Sequence, residues 1–340
     1  MEEPTNANVP RPAWSQEQLL TLARAFQECR LLLTGAELDL FTLLAPAPLP
    51  AADIATRLHA NVPALTVLLD ALAAMGLLVK RDGAYQSEPS ASELLARGRP
   101  GSVLPMVLHS ANLWTRWGEL TNVVAGPPPV QTDKQEALRA FIGAMHVIAE
   151  PRTAGTVELV DPGLARKLLD VGGASGTYTM AFLAASPELR ATLFDRPPVI
   201  EMARQRLDAA GLLDRVNLVP GDFYADPLPG GHDLVFVSAI IHQNSPAQNV
   251  ALFRKAFAAL DPGGRIVIRD HVLSDDRTSP KAGAMFAVNM LVARNGGNSY
   301  TFAEIQSALA EAGFVDARLI HPDTRMDGLV EAFKPPHHSP

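Results

Sequence analysis

The sequence predicts a mixed α/β protein: a Rossmann-like sheet, mostly parallel with an antiparallel edge strand, preceded by an α-helical domain of winged-helix type. From residue 167 onward, short apolar stretches alternate with amphipathic ones, which is the pattern of a parallel sheet with helices on both faces. The first part instead repeats its leucines at helical spacing. We therefore place the helical domain at residues 1–110 and the Rossmann-like domain at 111–340. Connecting helices are expected over 111–160, and a flexible tail from about residue 334.

The strands of the predicted sheet are short and separated by helical stretches. Five are expected to be parallel: Lys167–Val171, Ala191–Phe194, Val216–Val219, Asp233–Val237 and Arg265–Arg269. Pro198–Ala210 and Ala247–Leu260 are expected to form helices between them. Phe314–Ile320 and Leu329–Phe333 are close enough in sequence to pair as an antiparallel edge.

The helical domain ends in the pattern of a winged helix. Asn61 is the expected N-cap of a helix with Pro63 in its first turn, and Gly76 is expected to end it. The stretches Leu77–Lys80 and Ala84–Ser87 predict a hairpin. A winged helix can bind DNA, but this helix carries no Lys, Arg or His, and such donors are needed to read bases and phosphates. Its apolar surface favours a protein interface.

Composition narrows the class of protein. Hydrophobic residues make up 47% of the chain, enough to bury a large core. The net charge of -7 argues against a general affinity for nucleic acid or anionic membranes. We expect neither a signal peptide nor a membrane span. With Cys29 as its single cysteine, the chain is expected to be cytoplasmic, and Cys29 to be a small buried apolar side chain. His337 and His338 are expected in a solvated tail rather than a metal site.

Three carboxylates lie at the carboxyl ends of successive strand candidates, at the edge where open α/β sheets bind ligands. Asp170 precedes a turn with Gly172 and Gly173, and an acid beside free amides suits a methionine moiety, whereas it would repel a pyrophosphate. Asp195, 25 positions later, can accept hydrogen bonds from both ribose hydroxyls. Gly221-Asp222-Phe223 offers a carboxylate for an adenine amino group and a ring to cover the base. These residues predict a nucleoside pocket.

Eight stretches of the chain resemble the plant-type small-molecule O-methyltransferases and their bacterial relatives, such as acetylserotonin and hydroxyneurosporene methyltransferases. Six lie in the second part: LLDVGGASGTY, LFDRP, GDFYADPLP, DLVFVSAIIHQNS, LDPGGRIVIRDHV and NMLVARNGGNSYTFAEIQSALAEAGF. Two in the first part, LDLFTLLA and LLDALAAMGLLV, resemble that family's winged-helix dimerisation domain.

The resemblance implies S-adenosylmethionine as cofactor, S-adenosylhomocysteine as product and methyl transfer to a small molecule. It also implies a homodimer through the N-terminal helices, which exchange between subunits in that family and can line the partner's acceptor pocket. Arg196 and Ser238, which lie within the matching motifs, join the cofactor-binding candidates. No metal ion is expected.

On the acceptor side, His242 follows the fourth strand candidate and matches the family's catalytic histidine, so the resemblance implies a general base toward a hydroxyl. Asp270, at the end of the fifth strand candidate, is the candidate for orienting that base. Four further residues are expected to line the acceptor pocket, by position and by resemblance: Phe141, Met145, Asn289 and Met290.

Two departures from the family's pattern leave other reactions open. Gln243-Asn244 stands where the family has Asp-Trp after the histidine, and Ser299 stands where it has a second acid. A thioether has no proton to remove, so S-methylation of a thioether or thiol by proximity is one alternative, and methylation of an already acidic oxygen is another. A relative that binds the cofactor but catalyses decarboxylation, hydroxylation or pericyclic chemistry is a further alternative. A non-enzymatic regulator built on the winged helix is the last.

Overall fold

The computed structural model describes residues 14–126, 133–163, 165–293 and 296–336. Its first part contains α1 (Gln16–Glu37), α2 (Leu40–Leu43), β1 (Leu49–Pro50), α3 (Ala51–Leu58), α4 (Val62–Ala74), β2 (Leu78–Arg81), β3 (Ala84–Ser87) and α5 (Pro89–Leu95). The connecting helices are α6 (Leu104–Gly118), α7 (Leu120–Ala125), α8 (Lys134–Ala149) and α9 (Thr153–Val160).

The second part alternates strands and helices. They are β4 (Lys167–Val171), α10 (Thr177–Ala185), β5 (Arg190–Asp195), α11 (Pro197–Ala209), β6 (Val216–Pro220), β7 (His232–Ser238), α12 (Pro246–Ala259), β8 (Leu260–Asp270), β9 (Val272–Leu273), α13 (Lys281–Ala293), β10 (Tyr300–Thr301), α14 (Phe302–Glu311), β11 (Val315–His321) and β12 (Gly328–Phe333).

Within the described residues the main sheet has the order β11-β12-β8-β7-β4-β5-β6. Strands β4 to β8 pair in parallel, while β12 is antiparallel to β8 and β11 is antiparallel to β12. The predicted Rossmann-like sheet and its antiparallel edge are therefore confirmed. The chain enters the sheet at β4 and adds β5 and β6 on one side of that strand. It then crosses back and adds β7 and β8 on the other side of β4. Such a switch point opens a crevice at the carboxyl ends of the strands.

The helical part has the winged-helix pattern that its sequence predicts. Asn61 Oδ1 accepts a hydrogen bond from the Ala64 amide at 3.0 Å, so α4 begins with a side-chain cap. Gly76, with a φ of +78°, follows the end of α4, and β2 and β3 form the hairpin. The domain boundary at residue 110 stays a prediction.

Helix α13 joins the two parts of the molecule. Met285 and Val288 of this helix pack against the hydrophobic core of the helical part. Residues three to four positions apart share a helix face, so Phe286 and Met290 face away from that core. The same helix therefore contacts the helical part on one side and faces the carboxyl ends of the sheet strands on another.

One expectation is corrected. Cys29 is exposed, not buried, because the first half of α1 extends beyond the core of the single chain and burial begins at Leu31. Lys334 Nζ donates to the carbonyls of Phe257 and Leu260, at 2.8 and 2.6 Å, and the tail expected from about residue 334 stays a prediction. His337 and His338 lie outside the described residues. None of the helices described is both long and apolar enough to cross a membrane.

A buried carboxylate in α4 generates a stability prediction. Asp70 Oδ1 accepts hydrogen bonds from Lys80 Nζ and the Tyr85 hydroxyl, each at 2.6 Å. Asp70→Ala should lower the free energy of unfolding by about 2–3 kcal/mol, because a largely buried ammonium loses its carboxylate and a buried hydroxyl loses its acceptor. Urea unfolding measures this, and the exposed carboxylate of α3 supplies the control: Asp53→Ala should cost less than about 1 kcal/mol. Equal effects of the two substitutions would contradict the prediction.

Candidate active site

Two positions in the crevice permit only glycine. Gly172 has a φ of +68°, and a Cβ atom there would lie 2.6 Å from Ile240 Cδ1 and 3.7 Å from Phe223 Cε1. A Cβ atom at Gly221 would lie 2.5 Å from the Phe194 ring. A side chain at either position would displace the neighbouring side chains, so both turns stay as bare backbone, here called the glycine surface.

Asp195 ends β5 beside this surface. Its Oδ2 accepts from the Ala174 amide at 2.9 Å and its Oδ1 from the Arg196 amide at 2.7 Å. Burial raises the pKa of Asp195, and these two amides oppose the rise. A carboxylate has about four lone-pair sites, so it can still accept from two ribose hydroxyls. The exposed Arg196 side chain lines a groove of about 530 Å³ with Leu138 and Gly221.

Asp170 lies inside the protein, beneath the glycine turn. Its Oδ2 accepts from Thr179 Oγ1 at 2.6 Å, and a Cβ atom at Gly173 would lie 2.9 Å from the same carboxylate oxygen. Burial raises the pKa of Asp170 to about 6. This carboxyl group therefore anchors the start of α10 to the end of β4 through Thr179, and it leaves no room for a side chain at Gly173. The contact with a methionine moiety expected from the sequence stays a prediction.

Asp222 and Phe223 lie on a loop that a lysine holds in place. Lys255 Nζ, on α12, donates to the carbonyls of Phe223, Tyr224 and Asp226 at 2.8, 3.1 and 2.8 Å. Asp222 is exposed and Phe223 is half-buried, so one can accept from an amino group while the other covers a base. Lys255 could not be identified from the sequence, because the sequence of α12 does not indicate which loop the Lys255 side chain reaches.

A second link joins this loop to the histidine segment. The Tyr224 hydroxyl donates to Asn244 Oδ1 at 2.6 Å, and Asn244 Nδ2 donates to Asn249 Oδ1 at 2.9 Å. Asn244 is fully buried. The departure from the family's Asp-Trp pattern thus places the Asn244 amide where it connects the loop of Asp222 and Phe223 to the turn that carries His242.

His242 and Asp270 form a buried pair. His242 Nδ1 lies 2.9 and 3.0 Å from the two carboxylate oxygens of Asp270, and the His271 amide donates to Asp270 Oδ1 at 2.8 Å. Burial alone would raise the pKa of Asp270, but His242 and the His271 amide hold it below its usual value. The carboxylate stays ionised and fixes the proton of the neutral imidazole on Nδ1, which leaves a lone pair on Nε2.

Phe286 of α13 lies against this pair, and the sequence analysis missed it. Its ring centroid is 4.8 Å from that of His242 and 5.0 Å from that of His271. Asn289, half-buried, and Met290, buried, lie one turn further along the same helix. Helical spacing from Asn289 and Met290 could have identified Phe286.

On α8 the other two lining candidates differ in exposure. Phe141 is 53% exposed in the single chain, whereas Met145 is half-buried. The helix is tied to the glycine turn, since His146 Nδ1 lies 2.9 Å from Thr177 Oγ1 and Arg206 Nη2 lies 2.6 Å from His146 Nε2. This face of α8 therefore adjoins the cofactor side of the crevice.

Two other polar groups support the site from within. His271 Nδ1 lies 2.7 Å from Asp323 Oδ2, a second buried histidine–carboxylate pair. Ser299 Oγ donates to the Gly283 carbonyl at 2.9 Å, so it fixes α13 and supplies no second acid. Over the described ranges no three His, Cys, Asp or Glu side chains gather as a metal cluster.

Comparison with known families decides the class of protein. A model described as the O-methyltransferase domain matches residues 130–315, and one described as the O-methyltransferase dimerisation domain matches residues 20–97. The chain belongs to the O-methyltransferase family. It is a methyltransferase that uses S-adenosylmethionine for the O-methylation of a small molecule, and the glycine surface with Asp195, Asp222 and Phe223 fits such a nucleoside cofactor.

Individual relatives agree with this assignment. The chain is 34% identical, over 90% of its length and 94% of the relative's, to a tetracenomycin polyketide synthesis 8-O-methyl transferase of Streptomyces glaucescens. It is 31% identical to a 3-hydroxy-5-methyl-1-naphthoate 3-O-methyltransferase of Streptomyces sahachiroi, covering 91% of this chain and 92% of that one. The crystal structure of an O-methyltransferase family 2 protein from Planctomyces limnophilus in complex with apigenin superposes with a TM-score of 0.78, at 30% identity, covering 95% of this chain and 97% of that chain.

The raised pKa of Asp170 predicts a pH-dependent stability. The folded chain holds this proton more tightly than the unfolded chain, where the pKa is 3.8. The resulting stabilisation is complete below about pH 4 and is lost as the pH rises through about 6. Relative to Asp170→Asn, the wild-type free energy of unfolding should fall by about 3 kcal/mol between about pH 4 and pH 7. Urea titrations of both proteins across this range measure the difference, and a constant difference would contradict the assignment.

Proposed function

We propose that the enzyme methylates a phenolic hydroxyl of a polycyclic aromatic molecule, with His242 as general base and Asp270 as the group that orients it. The hydrogen bonds between His242 Nδ1 and the buried Asp270 carboxylate carry this proposal. They leave Nε2 as the one ring nitrogen able to take a proton, and a base is useful only toward an acceptor that has one.

The residues of this chain divide the work between binding and proton transfer. Asp195 would accept from the ribose hydroxyls, while Asp222 and Phe223 would hold the base and Gly172 and Gly221 would let the ligand lie close. S-adenosylmethionine, when bound, supplies an electrophilic methyl group on a positively charged sulfur. His242 Nε2 would take the proton of the acceptor hydroxyl, and Asp270 would stabilise the imidazolium that forms.

An aromatic acceptor is supported by the apolar side of the site and by the relatives. Phe286 and Met290 present a ring and a thioether on one face of α13, surfaces suited to a flat ring system. The two Streptomyces relatives are named for a polyketide and a naphthoate, and the Planctomyces structure holds apigenin. Methylation of an oxygen that is already acidic, which needs no base, is the second candidate, favoured by Ser299 standing where the family has a second acid.

A homodimer through the N-terminal helices is part of the proposal. Leu19, Leu22 and Phe26 lie on one face of α1 and are 51%, 61% and 55% exposed, and they stand at or beside the matched dimerisation domain. A row of large apolar side chains on one helix face favours a protein partner. A cytoplasmic location, inferred from the single cysteine, stays a prediction.

The dimer is tested at α1. The double variant Leu22→Asp with Phe26→Asp should convert the dimer to a monomer, because two charges would be buried in the interface. Multi-angle light scattering gives the mass, and Leu319→Asp, at an exposed leucine of β11, is the control that should stay dimeric. A monomeric wild type, or a double variant that stays dimeric, would count against the proposal.

The catalytic role is tested at His242. His242→Gln should lower kcat by roughly 10²- to 10⁴-fold, because the base is lost, while the affinity for S-adenosylhomocysteine stays within about twofold. Release of S-adenosylhomocysteine is measured with a panel of phenols that includes apigenin and an acidic nitrophenol. The loss should be smallest for the nitrophenol, whose oxygen is already ionised.

His232→Gln is the matched control. His232 is also buried, but it lies at the amino end of β7, at the opposite end of the strands from His242, beside Thr192. This variant should retain activity to within a few fold. Equal losses in the two variants, or full activity of His242→Gln on ordinary phenols, would refute His242 as the base.

A further inference from the structure

Arg269 is a buried cation that has no carboxylate partner. It is 3% exposed, and none of the ion pairs formed among the described residues includes it. Its Nη1 donates to Ser238 Oγ at 3.1 Å, its Nε has no hydrogen-bond partner, and its Cζ lies 5.1 Å from the centre of the Tyr178 ring. By contrast Arg265, on the same strand, pairs with Glu331 at 2.9 Å.

A guanidinium group stays charged in proteins and carries five donors. Burying it without an anion is costly, because the lost hydration is not replaced. Arginine forks match the geometry of a carboxylate, which accepts two parallel hydrogen bonds. The chemistry of Arg269 therefore calls for a carboxylate that comes from a ligand.

The position of Arg269 indicates which ligand this is. It lies at the carboxyl end of β8 next to Asp270, and neighbouring strand residues point to opposite faces. Asp270 reaches His242, while Arg269 reaches Tyr178 in the first turn of α10, which follows the glycine turn. Arg269 thus lies on the opposite face of β8 from the His242–Asp270 pair, beside the helix that follows the glycine turn. The sulfur that carries the transferable methyl group also carries the amino-acid end of the cofactor, so that end must lie near the pair.

We propose that Arg269, oriented by Ser238, binds a carboxylate, and that this is the α-carboxylate of the methionine moiety of the cofactor. The proposal rests on the binding of S-adenosylmethionine by this enzyme. The other source of the same group is an aromatic acceptor that carries a carboxylate beside its hydroxyl, and the experiment distinguishes the two.

Calorimetry compares two probes that differ only in this group: S-adenosylhomocysteine and decarboxylated S-adenosylhomocysteine. Arg269→Gln should weaken the binding of the first by roughly 10- to 100-fold, the effect of losing a charged hydrogen-bonded partner, and leave the second almost unchanged. Arg269→Lys should recover part of the loss. Arg254→Gln, at an exposed arginine of α12, is the control and should change neither.

The acceptor arm uses a hydroxynaphthoate and the matching naphthol. If Arg269→Gln leaves both cofactor probes unchanged but raises KM for the hydroxynaphthoate alone, the carboxylate belongs to the acceptor. Equal weakening of both cofactor probes, or no change in either arm, overturns the proposal. If Arg269→Gln fails to fold, Ser238→Ala gives the same test with a smaller selective loss expected. A wild type that binds neither cofactor probe would refute the cofactor assignment itself, not the role of Arg269.

Discussion

The buried carboxylate of Asp270 needs donors, and the rest of the active site is arranged around supplying them. Its oxygens accept from the His242 ring and from the backbone amide of His271, and the pKa of Asp270 lies below its usual value despite full burial. Such a group keeps its charge only while those donors stay in place. The turn that carries His242 must therefore lie directly beside the end of β8, and the parallel pairing of β7 with β8 puts it there.

Several packing contacts hold that arrangement. Ala239, in the left-handed region with a φ of +55°, turns the chain after β7 and donates its amide to the Arg269 carbonyl at 2.8 Å. Asn244 connects the same segment, through Tyr224, to the loop that carries Asp222 and Phe223. Helix α13 covers the pair with Phe286 while Met285 and Val288 anchor it in the helical part. A continuous set of packing contacts thus runs from that loop through the His242 segment to the helical part.

Much of this could be predicted from the sequence, and the reasons for the rest are physical. The strands β4 to β8 were predictable because buried parallel strands form short apolar runs, and the three acids because they lie at the carboxyl ends of those runs. His242 with Asp270 was predictable from resemblance, and the structure brings the two together.

The contacts of Asp170, Lys255 and Arg269 were not predictable. Periodicity gives the face of an element but not the distant side chain that meets it, and each of these residues finds its partner on another element. The exposure of Cys29 was missed for a different reason: a surface that suits a second chain has the same apolar pattern as a core.

The central claim is that Asp270 fixes His242 as the Nδ1-protonated tautomer with a free lone pair on Nε2. Nitrogen-15 NMR of histidine-labelled enzyme reports the tautomer of each neutral ring, and His242→Gln assigns the signal by its disappearance. We expect the neutral His242 ring to carry its proton on Nδ1, and Asp270→Asn to disturb this preference. A neutral ring protonated on Nε2 would have no lone pair facing the acceptor, and His242 could not then act as the base.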